Sequence, residues 1–229
     1  MCGRFNITAD PLTQLLMELV GLGHPGPDNY NTAPTEQVAV LRMVAAGQPE
    51  IISMKWWLTP FWSREVSTKY SMFNARSEGL TKSPAFREPF KKRRCVVPVS
   101  GYYEWARKQS PKTPYYLNAE VGLLLAGLWD RWVNPETNEE LLSFTIVTTA
   151  AHPAMEFVHH RQPVMLDIDS AKLWLTELDE VDDLTRLFTP SLPAGLQATP
   201  LSTYVNNARN KDARCVQPLG DSIILFDES

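Results

Sequence analysis

Cys95-Val96-Val97-Pro98-Val99-Ser100-Gly101-Tyr102-Tyr103-Glu104-Trp105 reads as a strand with one interruption. Its β-branched and aromatic residues favour a pleated, half-buried surface, while Pro98 and Gly101 mark a bulge or a sheet edge. Glu104 is set between Tyr103 and Trp105. Desolvation in such company favours the protonated carboxyl and suits it to general acid or base work; on a strand with one wet face it would only point to water. Outward from this stretch the chain stays rich in strands. Val38 to Met43 and Ile51 to Trp57 flank Gly47 as an antiparallel hairpin. Pro114 to Leu117, Leu123 to Trp129, Leu141 to Thr149, Val164 to Leu166, Leu196 to Ser202 and Ile223 to Phe226 supply more, with Leu123 to Trp129 and Leu141 to Thr149 apolar enough to lie centrally.

Helices are few. Leu12, Leu15, Leu16 and Leu19 recur at helical spacing behind an Asp10 cap and Pro11, and Gly21 and Gly23 stop them. Ser83 and Pro84 open a second helix that carries Arg87, Lys91, Lys92, Arg93 and Arg94, and Asp169 caps a third ending at Leu175, followed by a solvated acidic connection from Glu177 to Asp183. The predicted fold is therefore α+β: one domain over residues 1–229, with a mainly antiparallel, barrel-like β core and short peripheral helices.

Composition excludes several classes. Hydrophobic content of 44% and charged content of 21% are those of a globular chain, and no apolar run approaches a membrane span of roughly 20 residues. No basic-then-apolar leader is seen, so the expected compartment is the cytoplasm, in association with the nucleoid. Cys2, Cys95 and Cys215 are odd in number and widely spaced, which argues against a disulfide framework. No third Cys or His stands at ligand spacing near the His159–His160 pair, so no metal and no cofactor is expected. A net charge of −4 excludes wholesale polyanion binding but leaves room for a local patch, which the five cations between Arg87 and Arg94 supply unless they only solvate a helix end.

The opening Met1-Cys2-Gly3-Arg4-Phe5 carries the chemistry. Removal of Met1 before so small a residue leaves an N-terminal cysteine, with an amine of pKa about 7.7–8.0 and a thiol near 8.5 on adjacent carbons. The amine condenses with an aldehyde and the thiol closes on the imine as a thiazolidine; alternatively the thiolate attacks an acyl carbon with the amine as base. Trp56, Trp57, Phe61 and Trp62 crowd around Pro60, as core or as a platform for unpaired bases. Asn74 and Arg76 are polar residues within an apolar surround, and the two histidines of a strand at 159 and 160 would face opposite ways.

Six motifs then occur in order: MCGRF at the start, NTAP at 31–34, FNARSE at 73–78, RRCVVPVSGYYEW at 93–105, HHRQP at 159–163 and PLSTYVNN at 200–207. Together they closely resemble the SOS-response-associated peptidase (SRAP) family, whose members crosslink to abasic sites in single-stranded DNA. The resemblance implies that Cys2 is the nucleophile, Glu104 the acid beside it, His159 the histidine acting on the sugar and Asn74 an active-site asparagine. It places Arg4, Arg76 and Arg161 on DNA phosphates, and adds Asn31 and Trp62 as DNA-binding residues. Trp56-Trp57 departs from the family's usual Trp-Gly, which alters the loop that resembles a wedge against nucleic acid. The implied function is a sensor of abasic sites in single-stranded DNA that shields the lesion by a thiazolidine crosslink, with a weak lyase and an autoproteolytic thiol peptidase activity. The implied partners are that DNA and replication-associated proteins, and the implied state is a monomer. An N-terminal-nucleophile amidohydrolase and a non-catalytic binding module are the competing readings.

Overall fold

In the computed structural model, which describes residues 2–24, 26–44, 47–106, 112–178 and 181–225, strand β1 (Phe5–Ile7) leads into helix α1 (Ala9–Val20). Asp10 has extended dihedrals within the assigned span, so regular helix starts at Pro11; Leu12, Leu15, Leu16 and Leu19 are its buried face. Gly21 ends it at φ 74°, a left-handed conformation in which its N–H reaches the Met17 carbonyl. Strand β2 (Asn29–Thr32) pairs back on β1, and β3 (Gln37–Val44) with β4 (Gln48–Trp56) makes the predicted hairpin, in register from Gln37–Lys55 to Val44–Gln48. Strand β5 (Asn74–Arg76), helix α2 (Arg87–Lys92), β6 (Arg94–Val99), β7 (Gly101–Trp105), β8 (Pro114–Asn118), β9 (Leu123–Val133) and β10 (Glu140–Ala150) follow. The chain then gives β11 (Arg161–Pro163), β12 (Met165–Leu166), α3 (Ile168–Leu175), β13 (Gln197–Pro200) and β14 (Ile223–Ile224).

These strands make two sheets. β10-β4-β3-β6-β9 close on themselves through the β9–β10 pairing into a five-stranded barrel, with β11, β12 and β5 attached. The second sheet runs β14-β13-β8-β7-β1-β2 and is antiparallel throughout, whereas β10 pairs in parallel with β4 and β5. The α+β, barrel-like expectation is met. The interruption expected within a strand between Cys95 and Trp105 is instead a crossing between two strands in different sheets: β6 ends at Val99, Ser100 turns, and β7 begins. Pro98 lies beyond the last residue of β6 in register with β3, Val96, so its missing N–H interrupts no two-sided pairing. Gly101 is needed at the turn because a Cβ there would come within 2.6 Å of the Tyr116 ring.

The barrel core is built on Trp56, which is fully buried; its ring centre lies 4.4 Å from that of Phe5 and 6.4 Å from that of Phe144. Its Nε1 donates to the Phe73 carbonyl at 2.9 Å, so the polar edge is satisfied as well. The N-terminal strand is thus pinned to the barrel through Phe5, which holds residue 2 in place.

Several local expectations are corrected. Asp167, not Asp169, caps α3 by accepting from Ser170 N at 2.7 Å. The turn at Ser83 and Pro84 precedes α2 rather than belonging to it; helix starts only at Arg87, after Ser83 O has accepted from Phe86 N and Arg87 N. The basic cluster is not one patch. Arg94 is buried and donates to the carbonyls of Phe90, Lys91, Trp174 and Thr176, and Arg93 pairs with Asp130 at 3.1 Å. Arg87, Lys91 and Lys92 keep the outward role. Of the acidic connection, Asp179 and Glu180 lie outside the described residues, as do Met1 at the opening and Phe226 of the last apolar run.

Candidate active site

β7 sets the site by alternation. Tyr102 and Glu104 project to one face, and Tyr103 and Trp105 to the other. The second face is occupied: Tyr103 Oη donates to Tyr30 O at 2.5 Å and Trp105 Nε1 to Asn206 Oδ1 at 2.7 Å. The first face belongs to the barrel side, because Tyr102 is in register with Phe5. Tyr103 N also donates to Arg4 O at 2.9 Å, so the N-terminal segment runs directly beside β7. Cys2 is fully buried there, and Asn74 Nδ2 donates to its carbonyl at 2.7 Å.

Electrostatics bind the group together. Burial, and next the Glu104 charge, push the Cys2 thiol far above its ordinary value. Burial, then Cys2, then Glu104 push the Tyr102 phenol up in the same way. Both groups are neutral at physiological pH. Two polar atoms of the cluster, Tyr102 Oη and Asn74 Oδ1, are buried without a hydrogen-bond partner. Such atoms are rare in folded interiors and are explained by a ligand or a reaction more readily than by stability.

Around this centre the other candidates separate into two sets. Asn74 and Arg76 lie on β5, whose parallel pairing with β10 puts Arg76 opposite Thr148, and Arg161 on β11 lies opposite Ala150 of the same strand. Arg161 is mostly buried and makes a bidentate pair with Glu78, Nη1–Oε1 2.8 Å and Nη2–Oε2 3.0 Å, while Nη2 also donates to Thr148 O at 2.6 Å. The guanidinium holds the Glu78 carboxyl below its usual value. Arg76 is exposed. His159 precedes β11 in a turn, not in a strand, so the two histidines do not alternate: their rings stack with centres 4.4 Å apart, His159 buried and His160 exposed. His159 Nδ1 lies 3.0 Å from Arg161 N, from which it accepts when unprotonated, and 3.2 Å from the Arg161 carbonyl, to which it donates when protonated.

The second set surrounds Arg4. Its Nη1 donates to Asn31 Oδ1 at 2.8 Å and to Val205 O at 3.1 Å, and its Nη2 to Asn206 O at 3.4 Å. Asn31 is fully buried and donates in addition to the carbonyls of Val205, Asn207 and Asn210. The PLSTYVNN motif is therefore a turn clamped onto β1 and β2. Trp62 belongs to neither set: it is half exposed and lines a cleft of about 300 Å³ with Phe61, Pro84, Arg87 and Glu88. Trp57 packs 5.4 Å from Phe73 and donates to Ser67 O at 3.2 Å.

Sequence reasoning missed Tyr102 as part of the site. The signal was its separation by two from Glu104 on a strand, which puts both on one face. Among the described residues no cluster of three or more His, Cys, Asp or Glu could hold a metal ion, and no helix is long and apolar enough to cross a membrane.

Comparison with known proteins places the chain in a family. A family model described as SOS response associated peptidase (SRAP) matches residues 1–208. The chain is 32% identical over 231 residues to the abasic site processing protein YoqW of Bacillus subtilis, covering 95% of this chain and 99% of that one. It is 32% identical over 221 residues to the abasic site processing protein HMCES of Xenopus tropicalis, covering 82% of this chain and 65% of that one. Among solved structures, a protein of Bordetella bronchiseptica superposes with a TM-score of 0.75 at 25% identity, over 88% of this chain and 100% of that one.

Proposed function

We propose, since this chain belongs to the SOS response associated peptidase family, that it processes abasic sites in single-stranded DNA by forming a thiazolidine through Cys2 after Met1 is removed. The relatives' names support abasic-site processing. The observation that carries the chemistry is the Asn74–Cys2 hydrogen bond, which fixes residue 2 in a buried cluster with Glu104 and Tyr102.

The order of events follows from the groups present. An abasic sugar is mostly a closed hemiacetal, so its ring must be opened before the aldehyde is available, and His159 is the general acid for that step. The Cys2 amine attacks C1′, water leaves, and an imine forms. Glu104 moves protons to and from the amine and the departing hydroxyl. Sulfur then closes on the imine carbon. The imine also acidifies C2′, so β-elimination competes and gives a weak lyase activity; ring closure suppresses it by consuming the imine. Removal of Met1 is the prerequisite, and the Cys2 thiol acting on the preceding peptide bond is its autoproteolytic route. Single strands are preferred because the sugar must approach a nucleophile held inside the fold, which a duplex would obstruct.

Intact-mass analysis of Met1-processed protein incubated with an oligonucleotide carrying one abasic site tests this. The expected product weighs the sum of the two less one water, survives heat, and is absent for Cys2→Ala. Cys2→Ser loses the heat-stable product while keeping a borohydride-trapped imine. Heat-stable adduct from Cys2→Ala would overturn the assignment.

A further inference from the structure

We infer that Tyr102 is a further catalytic residue, whose hydroxyl donates a hydrogen bond to Cys2 Sγ as that sulfur closes on the imine carbon. The inference rests on the thiazolidine reading above and adds to it the group that makes the sulfur reactive.

Tyr102 is 1% exposed, and its hydroxyl is among the buried side-chain atoms that have no partner. A fold that only needed to fill this position could do so with phenylalanine, without stranding a polar atom in the core. The register of β1 on β7 puts this hydroxyl on the barrel side with Glu104, beside the segment that carries Cys2. On the opposite face of the same strand, Tyr103 and Trp105 both have partners for their polar atoms. The unmet hydrogen bond is therefore confined to the face where the chemistry takes place.

The closure step needs such a donor. With the imine protonated, Sγ–C1′ bond formation returns the C=N electron pair to nitrogen, leaving a neutral ring N–H, and the thiol proton passes to the Glu104 carboxylate. In the transition state sulfur carries negative charge in a site that burial and Glu104 both make hostile to it. Glu104 takes the proton but has none to offer sulfur. One N–H of the Asn74 amide is committed to the Cys2 carbonyl at 2.7 Å, which aims that group at the backbone of residue 2. The Tyr102 hydroxyl has no other partner, and the same surroundings that oppose a thiolate keep the phenol protonated. It retains its proton throughout and acts as the donor in an oxyanion-hole sense, here toward sulfur.

Tyr102→Phe removes this oxygen and nothing else. Processed wild-type and variant proteins are mixed with an abasic single strand and quenched at intervals, with borohydride to capture imine and without it to count heat-stable thiazolidine. The variant is expected to form imine at the wild-type rate and to close it roughly 10–100-fold more slowly, the loss typical of one transition-state donor. Strand cleavage by β-elimination should increase in parallel, and the pH at which closure accelerates should move upward. Difluorotyrosine at position 102, a more acidic donor, should move that pH downward. An unchanged division between imine and thiazolidine, with an unchanged pH profile, would overturn the inference. Absence of both products from wild type would instead overturn the abasic-site reading itself.

Discussion

Tyr102→Phe also makes a prediction about stability whose sign is opposite to that on activity. A buried hydroxyl without a partner costs about 1–3 kcal/mol relative to its hydrated state in the unfolded chain. The phenylalanine ring occupies the same slot, beside Phe5 in the neighbouring strand, so no cavity is created to offset the gain. For a chain of 229 residues, an unfolding entropy of ~2.1 cal/mol/K per residue gives about 480 cal/mol/K, or roughly 2 °C of melting temperature per kcal/mol. The variant should therefore melt about 2–6 °C higher by calorimetry. Its urea midpoint should rise with an unchanged slope, which would assign the effect to the folded state's stability and not to compactness. A polar group kept against stability in order to serve a reaction gives this pairing of slower chemistry and higher melting point. A melting point that fell would refute the reasoning, because it would mean that the hydroxyl contributes a favourable bond in the folded protein.

Arg94→Leu should destabilise by upwards of about 3 kcal/mol in urea unfolding, since it strands the carbonyls of Phe90, Lys91, Trp174 and Thr176 in the interior. Gly101→Ala should cost about 1–3 kcal/mol by the same assay, because the added methyl would meet both the Tyr116 ring, at 2.6 Å, and Asn118 Cβ, at 2.7 Å. Glu78→Gln releases Arg161, and anisotropy with a labelled single strand should show tighter binding with a steeper salt dependence; identical curves would remove Arg161 from the DNA path. The same change bears on pH. Glu78 is depressed below its ordinary value of 4.5, so its pairing contributes above that pH and is lost as pH falls through the lower folded-state value. With the carboxylate side chain 60% exposed this contribution is small, about 0–1 kcal/mol, and wild type and Glu78→Gln should differ in their acid-side melting profiles by no more than that.

The sequence made the barrel's hairpin and α1 legible because each carries its own local signal: Gly47 between two apolar runs, and four leucines at helical spacing. Where signals were duplicated it misled. Asp167 and Asp169 are equally good caps in composition, and only the chain's path out of β12 decides between them. Arg93 and Arg94 are indistinguishable as letters, yet Arg94 turns inward because α3, some 80 residues later, ends with two unpaired carbonyls beside it. Asn31 reads as a surface polar residue in a turn-rich segment, and its partners lie more than 170 positions away at Val205, Asn207 and Asn210. Of the candidate site, Cys2, Asn74 and Glu104 were singled out from the sequence and lie together in the structure. Tyr102 was hidden by its type: an aromatic on a strand reads as packing, and an unmet hydrogen bond is visible only in three dimensions.

On the thiazolidine reading proposed above, the burial of Cys2 decides the order of its chemistry. Before Met1 leaves, the nitrogen of residue 2 is an amide and cannot condense with an aldehyde, while its sulfur is held protonated by burial and by Glu104. Neither group is then able to capture an aldehyde. Removing Met1 converts the amide to an amine whose ordinary pKa is about 7.7–8.0, so a substantial fraction is neutral near pH 7.5, whereas the sulfur remains in the same protonating surroundings. Nitrogen therefore reacts first and sulfur second. That sequence is the one that yields a thiazolidine, because sulfur attacking an aldehyde first would give a hemithioacetal that reverts freely. It also places the positive iminium directly beside a thiol whose largest charged influence until then was the Glu104 carboxylate. The new cation lowers the cost of the thiolate at the moment it is required, and Glu104, which opposes the anion beforehand, becomes the acceptor of its proton. Under that proposal the carboxylate that opposes the Cys2 thiolate is also the base that takes its proton as the ring closes.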